Sequence, residues 1–581
     1  MATTSSAQFD TRTKAVNQWL NNLPIASVGE TARQLYMAMR DVNRQDAVPV
    51  KEHFHLLEGI SEPLTLILPE LHRHYAGKPL PLSEKRRKVA DLYTQLLRQA
   101  ILGYQQVIAH SIELSRFGWK KVITTSVHRI FALSSLLLSN YRQLHMPYQK
   151  GMWLQLYWIY QLIEKYNLLS VKVTGLGENL VKTSLGTEFK KLLLHALLSP
   201  TLFKPDELQN VIANLDIWAQ YVVITSSPGG DETQTYAFTL ETDMPPALIA
   251  QDISTGENQL VDVRYLDITD LIYNIDRLLS SAKPGAEEIK LSRGRAISRR
   301  SLLILMNCWG RPSCRDGSRR LIQGSAEVAI GVSAIHYVIS DGRQEQEPPA
   351  VQQKDTSRDK QDGYAITIPP VEADSRSNFG FTAERDTGPD IWESAYFEQD
   401  TPPPSWTESM RMKVYSYLNA KVLNISKGGF CIALPQDGIE HIQTNELIAV
   451  RGKTGQWQLG EIRWMVCPTT GPIRAGIKKH SQTVRPVQLI IKAGLKSQPI
   501  KCLLGKNDDG HVLFLPNLPT SLDGKEITLE YNGEKRSINI IEQLYSSPVG
   551  SAQLIEFADA KPVPSNLAKT NDDYESIWAS L

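Results

Sequence analysis

Two short patterns in this chain carry residue types suited to holding an anion. Arg311, Arg315 and Arg319 recur at intervals of four. A guanidinium is a planar fork of donors that clamps phosphate oxygens bidentately and stacks on flat rings. About a hundred residues later, positions 424–429 read Asn-Ile-Ser-Lys-Gly-Gly. Asn424 offers a carbonyl acceptor, and the Ser426 hydroxyl donates to phosphate or orients a neighbour. Gly429 lets backbone approach closely or takes φ > 0. Each pattern alone is weak. Arg295 and Arg299 repeat the same spacing, and basic clusters are usually solvated faces or nonspecific anion sites. The purely structural reading of 424–429 is a β-turn whose Asn and Ser satisfy the backbone.

The elements that must position these residues change character along the chain. The first two fifths read as helix. Ala32, Leu35 and Met39 share one helical face, Val89, Leu92, Leu96, Leu97 and Ile101 another, and Met152, Leu156, Ile159 and Ile163 a third. Short connections between them predict an antiparallel bundle or hairpin stack. Near residue 222 the pattern turns to alternation at 236–241 and 260–265, then to a helix over 269–279, a small mixed connector. Residues 290–320 hold nine Lys and Arg against the single acid Asp316. Residues 326–339, rich in Val and Ile, read as one long strand. Residues 341–405 are rich in Gln, Asp, Glu, Pro and Ser and are read as a disordered insert that lacks the apolar area to offset its ordering entropy. Short strands then return at 412–422, 429–434, 447–450, 457–466 and 473–478, the spacing of a small barrel. A second β-rich block follows at 500–543, with a hairpin turn at Asn532-Gly533.

Composition bounds the function. The chain has 581 residues, 42% of them apolar, and a net charge of +1. It therefore has cores to bury and no global attraction for a polyanion, so neither DNA nor RNA is an expected partner. The five cysteines, Cys308, Cys314, Cys431, Cys467 and Cys502, form no C-x-x-C pair and read as reduced thiols. The first ten residues lack the pattern of a secretory signal. The longest apolar runs fall short of the ~18 residues that span a bilayer, so a cytoplasmic or at most membrane-peripheral location and no membrane span are expected. His53 with His55, and His72 with His74, would point to opposite sides of a helix, so no metal is expected. Gly452-Lys453-Thr454 lacks the first glycine of a phosphate loop, since Leu447 stands there. Hydrolase and zinc-protease signatures are missing too, so no catalytic residue is assigned.

Taken together, Arg315-x-x-x-Arg319 ahead of a strand and Asn424-x-Ser426-x-x-Gly429 between two strands resemble the PilZ domain. The likeness continues through 457–464, Trp-Gln-Leu-Gly-Glu-Ile-Arg-Trp, and through Ala475-Gly476-Ile477. It departs from the family in the gap between the motifs, which splits the barrel after its first strand. Residues 33–36, 330–336 and 424–429 extend the resemblance to large atypical PilZ proteins with an N-terminal helical domain, linked to type IV pili. The resemblance implies cyclic di-GMP as ligand and no other cofactor. It places Arg315, Arg319, Asn424, Ser426 and Gly429 in the site, with Arg311, Arg320, Gly428, Arg463 and Trp464 as secondary candidates. Physically, guanine shows O6 and N7 acceptors on one edge, which the arginine fork matches. Trp464 is expected in the core rather than as a stacking platform.

The resulting expectation is a multidomain α+β protein. Residues 1–222 form an all-α helical domain and 223–289 a mixed connector. Residues 290–340 hold the arginine arm and first barrel strand, and 341–405 the insert. Residues 406–495 complete a split six-stranded PilZ-like barrel, 496–560 form an additional C-terminal β domain, and 561–581 a tail. Its expected role is a cyclic di-GMP receptor, not an enzyme, that signals to a protein partner of the type IV pilus or surface-attachment machinery. The rival reading is a PilZ-fold adaptor that works through protein contacts without nucleotide.

Overall fold

A computed structural model describes residues 9–45, 48–113, 119–176, 181–227, 235–248, 262–283, 286–310, 320–340, 417–439, 442–452, 455–481, 483–491, 499–507, 510–516, 527–531, 534–546 and 550–557. The expected insert, the C-terminal tail, the Asn532-Gly533 turn and Cys314 lie outside them, as do Arg311, Arg315 and Arg319. Two compact units emerge, one mainly helical and one built of barrels.

The helical unit runs through α1 (Thr13–Asn21), α2 (Val28–Asn43), α3 (Val50–Arg73), α4 (Glu84–Glu113), α5 (Lys120–Gln143) and α6 (Met152–Lys165). The hairpin β1 (Lys172–Thr174) and β2 (Lys182–Ser184) leads into α7 (Leu185–Leu197), where the Ser184 hydroxyl caps the Thr187 N–H. The periodic stripes bury as expected: Leu35, Met39, Leu96, Leu97, Ile159 and Ile163 are fully enclosed. α8 (Pro205–Ala213) and α9 (Leu215–Trp218) precede an antiparallel sheet of β3 (Val223–Thr225), β4 (Thr235–Thr239), β5 (Ala247–Leu248) and β6 (Val263–Asp267) in the order β3-β6-β4-β5. Helix α10 (Thr269–Ser281), the hairpin β7 (Glu288–Lys290) and β8 (Ala296–Ser298), and α11 (Arg299–Leu305) finish the unit.

The expected connector shares the helices' core. Phe238 of β4 stacks on Tyr157 of α6 at 5.1 Å, and Tyr160 stacks on Phe189 of α7 at 4.4 Å. Arg129, buried in α5, grips both oxygens of Glu58 on α3 at 3.1 Å and donates to the Thr174 carbonyl at 2.7 Å. Tyr104 on α4 donates to the same Glu58. These bonds fix four elements at one buried point, where an unpaired charge would be costly.

One expectation needs amending here. Among the described residues, α5 is long and apolar enough to cross a membrane. Its apolar runs are short individually, but Thr and Ser between them dilute the stretch little. The helix is mostly buried in the unit, as the core helix of a bundle is.

The second unit begins with β9 (Arg320–Ile330) and α12 (Val332–Ser340). Residues 326–339 are therefore not one strand. Gly331 takes φ +84° and turns the chain. Beyond it, Val332, Ile335, His336 and Ile339 fall at helical spacing, a period that a short β-branched run conceals. β10 (Leu418–Ser426), β11 (Gly429–Leu434), β12 (Leu447–Gly452), β13 (Gln458–Val466) and β14 (Ile473–Ser481) close with β9 into a six-stranded barrel, ordered β10-β11-β14-β13-β12-β9. A second closed barrel follows from β15 (Val484–Ile491), β16 (Ile500–Asn507), β17 (Gly510–Pro516), β18 (Ile527–Tyr531), β19 (Glu534–Ser546) and β20 (Gly550–Phe557). β15 lies within the span expected for the first barrel, yet it pairs with β16 and β18 of the second.

α12 and the two barrels share one core of Ala329, Ile335, Leu447, Ala449, Trp457, Leu459, Leu503, Val512, Phe514 and Ala552. A separate interior fills the second barrel around Leu489, Leu513 and Ile538.

Two predictions follow from this packing. Phe514 is 1% exposed in the shared core, so Phe514→Ala should cost about 3–5 kcal/mol in denaturant unfolding of the barrel unit. In the helical unit, burial holds the pKa of His53 at about 4, of His128 at about 4 and of His195 at about 3, all from 6.5. The unfolded chain therefore binds protons that the folded chain refuses. The stability these histidines contribute is present above pH ~6.5 and is lost as pH falls through that value towards about 4, at up to about 4 kcal/mol per pH unit for three protons. A urea midpoint unchanged between pH 7 and pH 5 would contradict this.

Candidate functional site

The pairing of β9 with β10 brings the two sequence motifs together. Leu418 lies opposite Val328, Asn424 opposite Leu321 and Ile425 opposite Arg320. Arg320 thus sits at the strand end between Asn424 and Ser426, although the two strands are far apart in the chain. Arg319, the preceding residue, is outside the described residues, as are Arg315 and Arg311.

From Asn424 a cross-strand row continues around the barrel. Asn424 pairs with Cys431, Cys431 with Gly476, and Gly476 with Trp464. Residues in direct register share a face. This one is the outer face, because Leu321 is 83% and Trp464 38% exposed at its two ends. Strand spacing makes the span from Asn424 to Trp464 about 14 Å. A bulge between Val422 and Asn424 turns Asn424 outward after the inward Val422. Among the described residues the Asn424 side chain makes no hydrogen bond.

Trp464 is not a core residue, contrary to expectation. A second bulge, between Ile462 and Trp464, swings it outward. Its indole lies flat over β14: a Cβ on Gly476 would fall 2.0 Å from its Nε1. Gly476 is thus the seat of the ring, leaving its other face to solvent. Arg463, the bulged residue, is 45% exposed and pairs with Glu461 at 3.2 Å.

Glu461 is buried. Burial pushes its carboxyl up, but the hydrogen bond from His480 at 2.8 Å and the charge of Arg463 outweigh this and hold it below the usual range. The pair therefore anchors Arg463 beside Trp464 as a fixed cation.

The turn at 424–429 also does structural work. The Ser426 hydroxyl donates to the Gly429 carbonyl at 3.2 Å, and the Lys479 N–H donates to the Gly428 carbonyl at 2.9 Å. Gly429 serves through close approach: its Cβ would sit 1.9 Å from the Ile477 carbonyl oxygen, and its φ is not positive. Gly428 is exposed, with open space around its Cα.

Three residues at the site were not singled out as ligand-binding in the sequence. Gly476 was named only within the Ala475-Gly476-Ile477 likeness, and its role as the seat of the indole needs the register. Lys478 lies opposite Gly429 and is exposed, so it adds a cation next to the motif. Lys427 adds another at the turn.

The alternative arginine pair is occupied elsewhere. Arg295 donates to Asp216 at 2.6 Å and to the Ala213 carbonyl at 3.0 Å. Arg299 donates to the Leu279 carbonyl, and Arg300 to Glu207. All three belong to the helical unit rather than to an arm ahead of the barrel. Burial also raises the thiols of Cys467 and Cys502 to about 12, which makes them inert. Among the described residues no cluster of His, Cys, Asp and Glu is placed to hold a metal.

Comparison with known proteins identifies the family of two parts of the chain. The family model described as cyclic-di-GMP receptor FimW, N-terminal domain, matches residues 14–229. The model described as cyclic-di-GMP receptor FimW, middle PilZ domain, matches residues 235–486. No solved structure matches the chain. The cyclic-di-GMP receptor FimW of Pseudomonas aeruginosa is 25% identical over an alignment that covers 98% of this chain and 96% of that protein. With both domains present in order and the PilZ motif on the outer face of the first barrel, the chain belongs to the FimW family.

Proposed function

We propose that this protein is a cyclic di-GMP receptor whose site is the outer face of β10, β11, β14 and β13. The observation that carries the reading is the register of β9 on β10. It sets Arg320 between Asn424 and Ser426, and Arg315 and Arg319 precede Arg320 closely in the sequence. In this reading those two arginines fold over the bound nucleotide. Their forks take the O6 and N7 edge of guanine or the phosphate oxygens, with Arg311 and Arg320 flanking them.

The Asn424 carbonyl accepts from the guanine N1–H or N2–H. The indole of Trp464, seated on Gly476, stacks on a base. Lys478, Lys427 and Arg463 surround the face with positive charge that suits a dianion. Ser426, Gly428 and Gly429 set the shape of the turn.

The protein acts as a receptor and not as a catalyst, in the cytoplasm. Its occupied state is read by a protein partner, by family resemblance a part of the type IV pilus or surface-attachment apparatus. A second reading is supported by the turn itself. Ser426 already serves the Gly429 carbonyl, so the turn has an internal hydrogen bond that needs no ligand, as a nucleotide-independent adaptor would require.

Calorimetry with cyclic di-GMP separates the two. Wild type should bind saturably, and Arg315→Ala and Arg319→Ala should each weaken binding about 5- to 150-fold, the value of one bidentate arginine–guanine pair. No heat with wild type would favour the adaptor. Trp464→Ala should likewise weaken binding about 5- to 150-fold through lost stacking. Unchanged affinity in that variant would remove Trp464 from the site.

A further inference from the structure

The two barrels have the same topology. Numbering strands within each barrel from one to six, the first closes in the order 2-3-6-5-4-1 and the second in the order 1-2-3-6-5-4, the same ring entered at different points. Many small barrels share a strand order, so order alone decides little. Part of the finer register also matches, although the bulge after Val422 on strand two of the first barrel has no counterpart in the second. Strands two and three are joined by a two-residue turn in both, between Ser426 and Gly429 in the first and between Asn507 and Gly510 in the second. Strand five carries a bulge at the same step, Arg463 in the first and Ile541 in the second.

With the glycines aligned, the row Asn424, Cys431, Gly476 and Trp464 corresponds to Gly505, Val512, Leu554 and Glu542. Every feature a nucleotide would use is changed. Glycine replaces the acceptor amide, and a carboxylate, repulsive to a dianion, replaces the indole. The Asn507 side chain is spent on the Gly510 N–H at 3.0 Å. β15 starts at Val484, only three residues after β14 ends at Ser481, which leaves no room for an arginine arm.

The corresponding face is also covered. Leu503, Val512, Phe514 and Ala552 lie in the core shared with the first barrel and α12, and Leu554 packs against it. A Cβ on Gly505 would meet the Cβ of Ser481 at 2.9 Å. The Ser481 hydroxyl, at the end of the first barrel, donates to the Lys506 carbonyl at 2.7 Å and accepts from its N–H at 2.9 Å. His480 lies 5.8 Å from the ring of Phe514. Strands two, three and six, which carry most of the ligand row in the first barrel, therefore form the seam in the second.

We infer that the C-terminal barrel is a second copy of the ligand-bearing barrel whose corresponding face has become the seam between the barrels, leaving the chain a single nucleotide site. The single-site part rests on the cyclic di-GMP reading above; the seam does not. Two measurements on the full chain test it. Equilibrium dialysis with labelled cyclic di-GMP on an Asn424→Ala, Trp464→Ala double variant should find no saturable class of sites at ligand concentrations that fill the wild type. A remaining saturable class that a Gly510→Val substitution then removes would overturn the inference.

In the absence of ligand, Val512→Cys and Lys501→Cys should be compared by thiol labelling, read peptide by peptide. The seam predicts that position 512 labels at least about 100-fold more slowly than exposed position 501. Rates within a few-fold of each other would show an open face and overturn the inference. If wild type binds no cyclic di-GMP, the functional reading falls while the labelling result still decides the seam.

Discussion

The antiparallel pairing of β9 with β10 is the constraint on which the barrel unit depends. It closes a ring whose strands are otherwise supplied by two separate parts of the chain. Leu418 lies 88 residues beyond Ile330, the difference of their numbers. Such a detour is cheaper than it looks, because loop-closure entropy grows with the logarithm of length and a doubling costs only about 0.6 kcal/mol. Against it stand seven registered residue pairs and the buried side chains of Ala326, Val328, Ala420 and Val422. The same ladder sets the chemistry, since register alone decides that Arg320 meets the strand of Asn424 and Ser426. A slip of one residue would turn Asn424 inward and take its amide off the outer face.

Local irregularities then shape that face. Two bulges reverse the alternation at just the positions where Asn424 and Trp464 must look outward. Two glycines let the strands carry them: Gly429 by admitting the Ile477 carbonyl, Gly476 by admitting the indole. The buried Glu461 contributes from below, holding Arg463 on one side and His480 on the other. His480 in turn lies against Phe514 of the second barrel. The seam therefore reaches the strand that carries Gly476 and Lys478, so packing of the second barrel supports the site of the first.

Much of this was legible in the sequence, for physical reasons. The helices announced themselves through long 3.6-residue stripes such as Val89 to Ile101, and the barrel through short strands between turn residues. The motif residues could be named because Arg-x-x-x-Arg ahead of one strand and Asn-x-Ser-x-x-Gly between two others occur together and in order. What the sequence concealed depended on tertiary register. The outward turn of Trp464 needs a bulge that no periodicity displays. The helix α12 hid in a Val- and Ile-rich run whose length suits either structure. The fate of Arg295 and Arg299 depended on Asp216 and the Leu279 carbonyl, partners distant in the chain. The duplication of the barrel left no repeat in the residues, because the second copy kept its backbone pattern while its outer face was rebuilt for packing.

The most direct test of the central claim, that ligand binds where the arm meets the row on β10, β11, β14 and β13, is hydrogen exchange of the whole protein with and without saturating cyclic di-GMP. The account predicts added protection in peptides covering 311–321, 424–431, 460–466 and 474–478, with little change across 500–516. Protection confined to the helical unit, or to 500–516 of the second barrel, would contradict it.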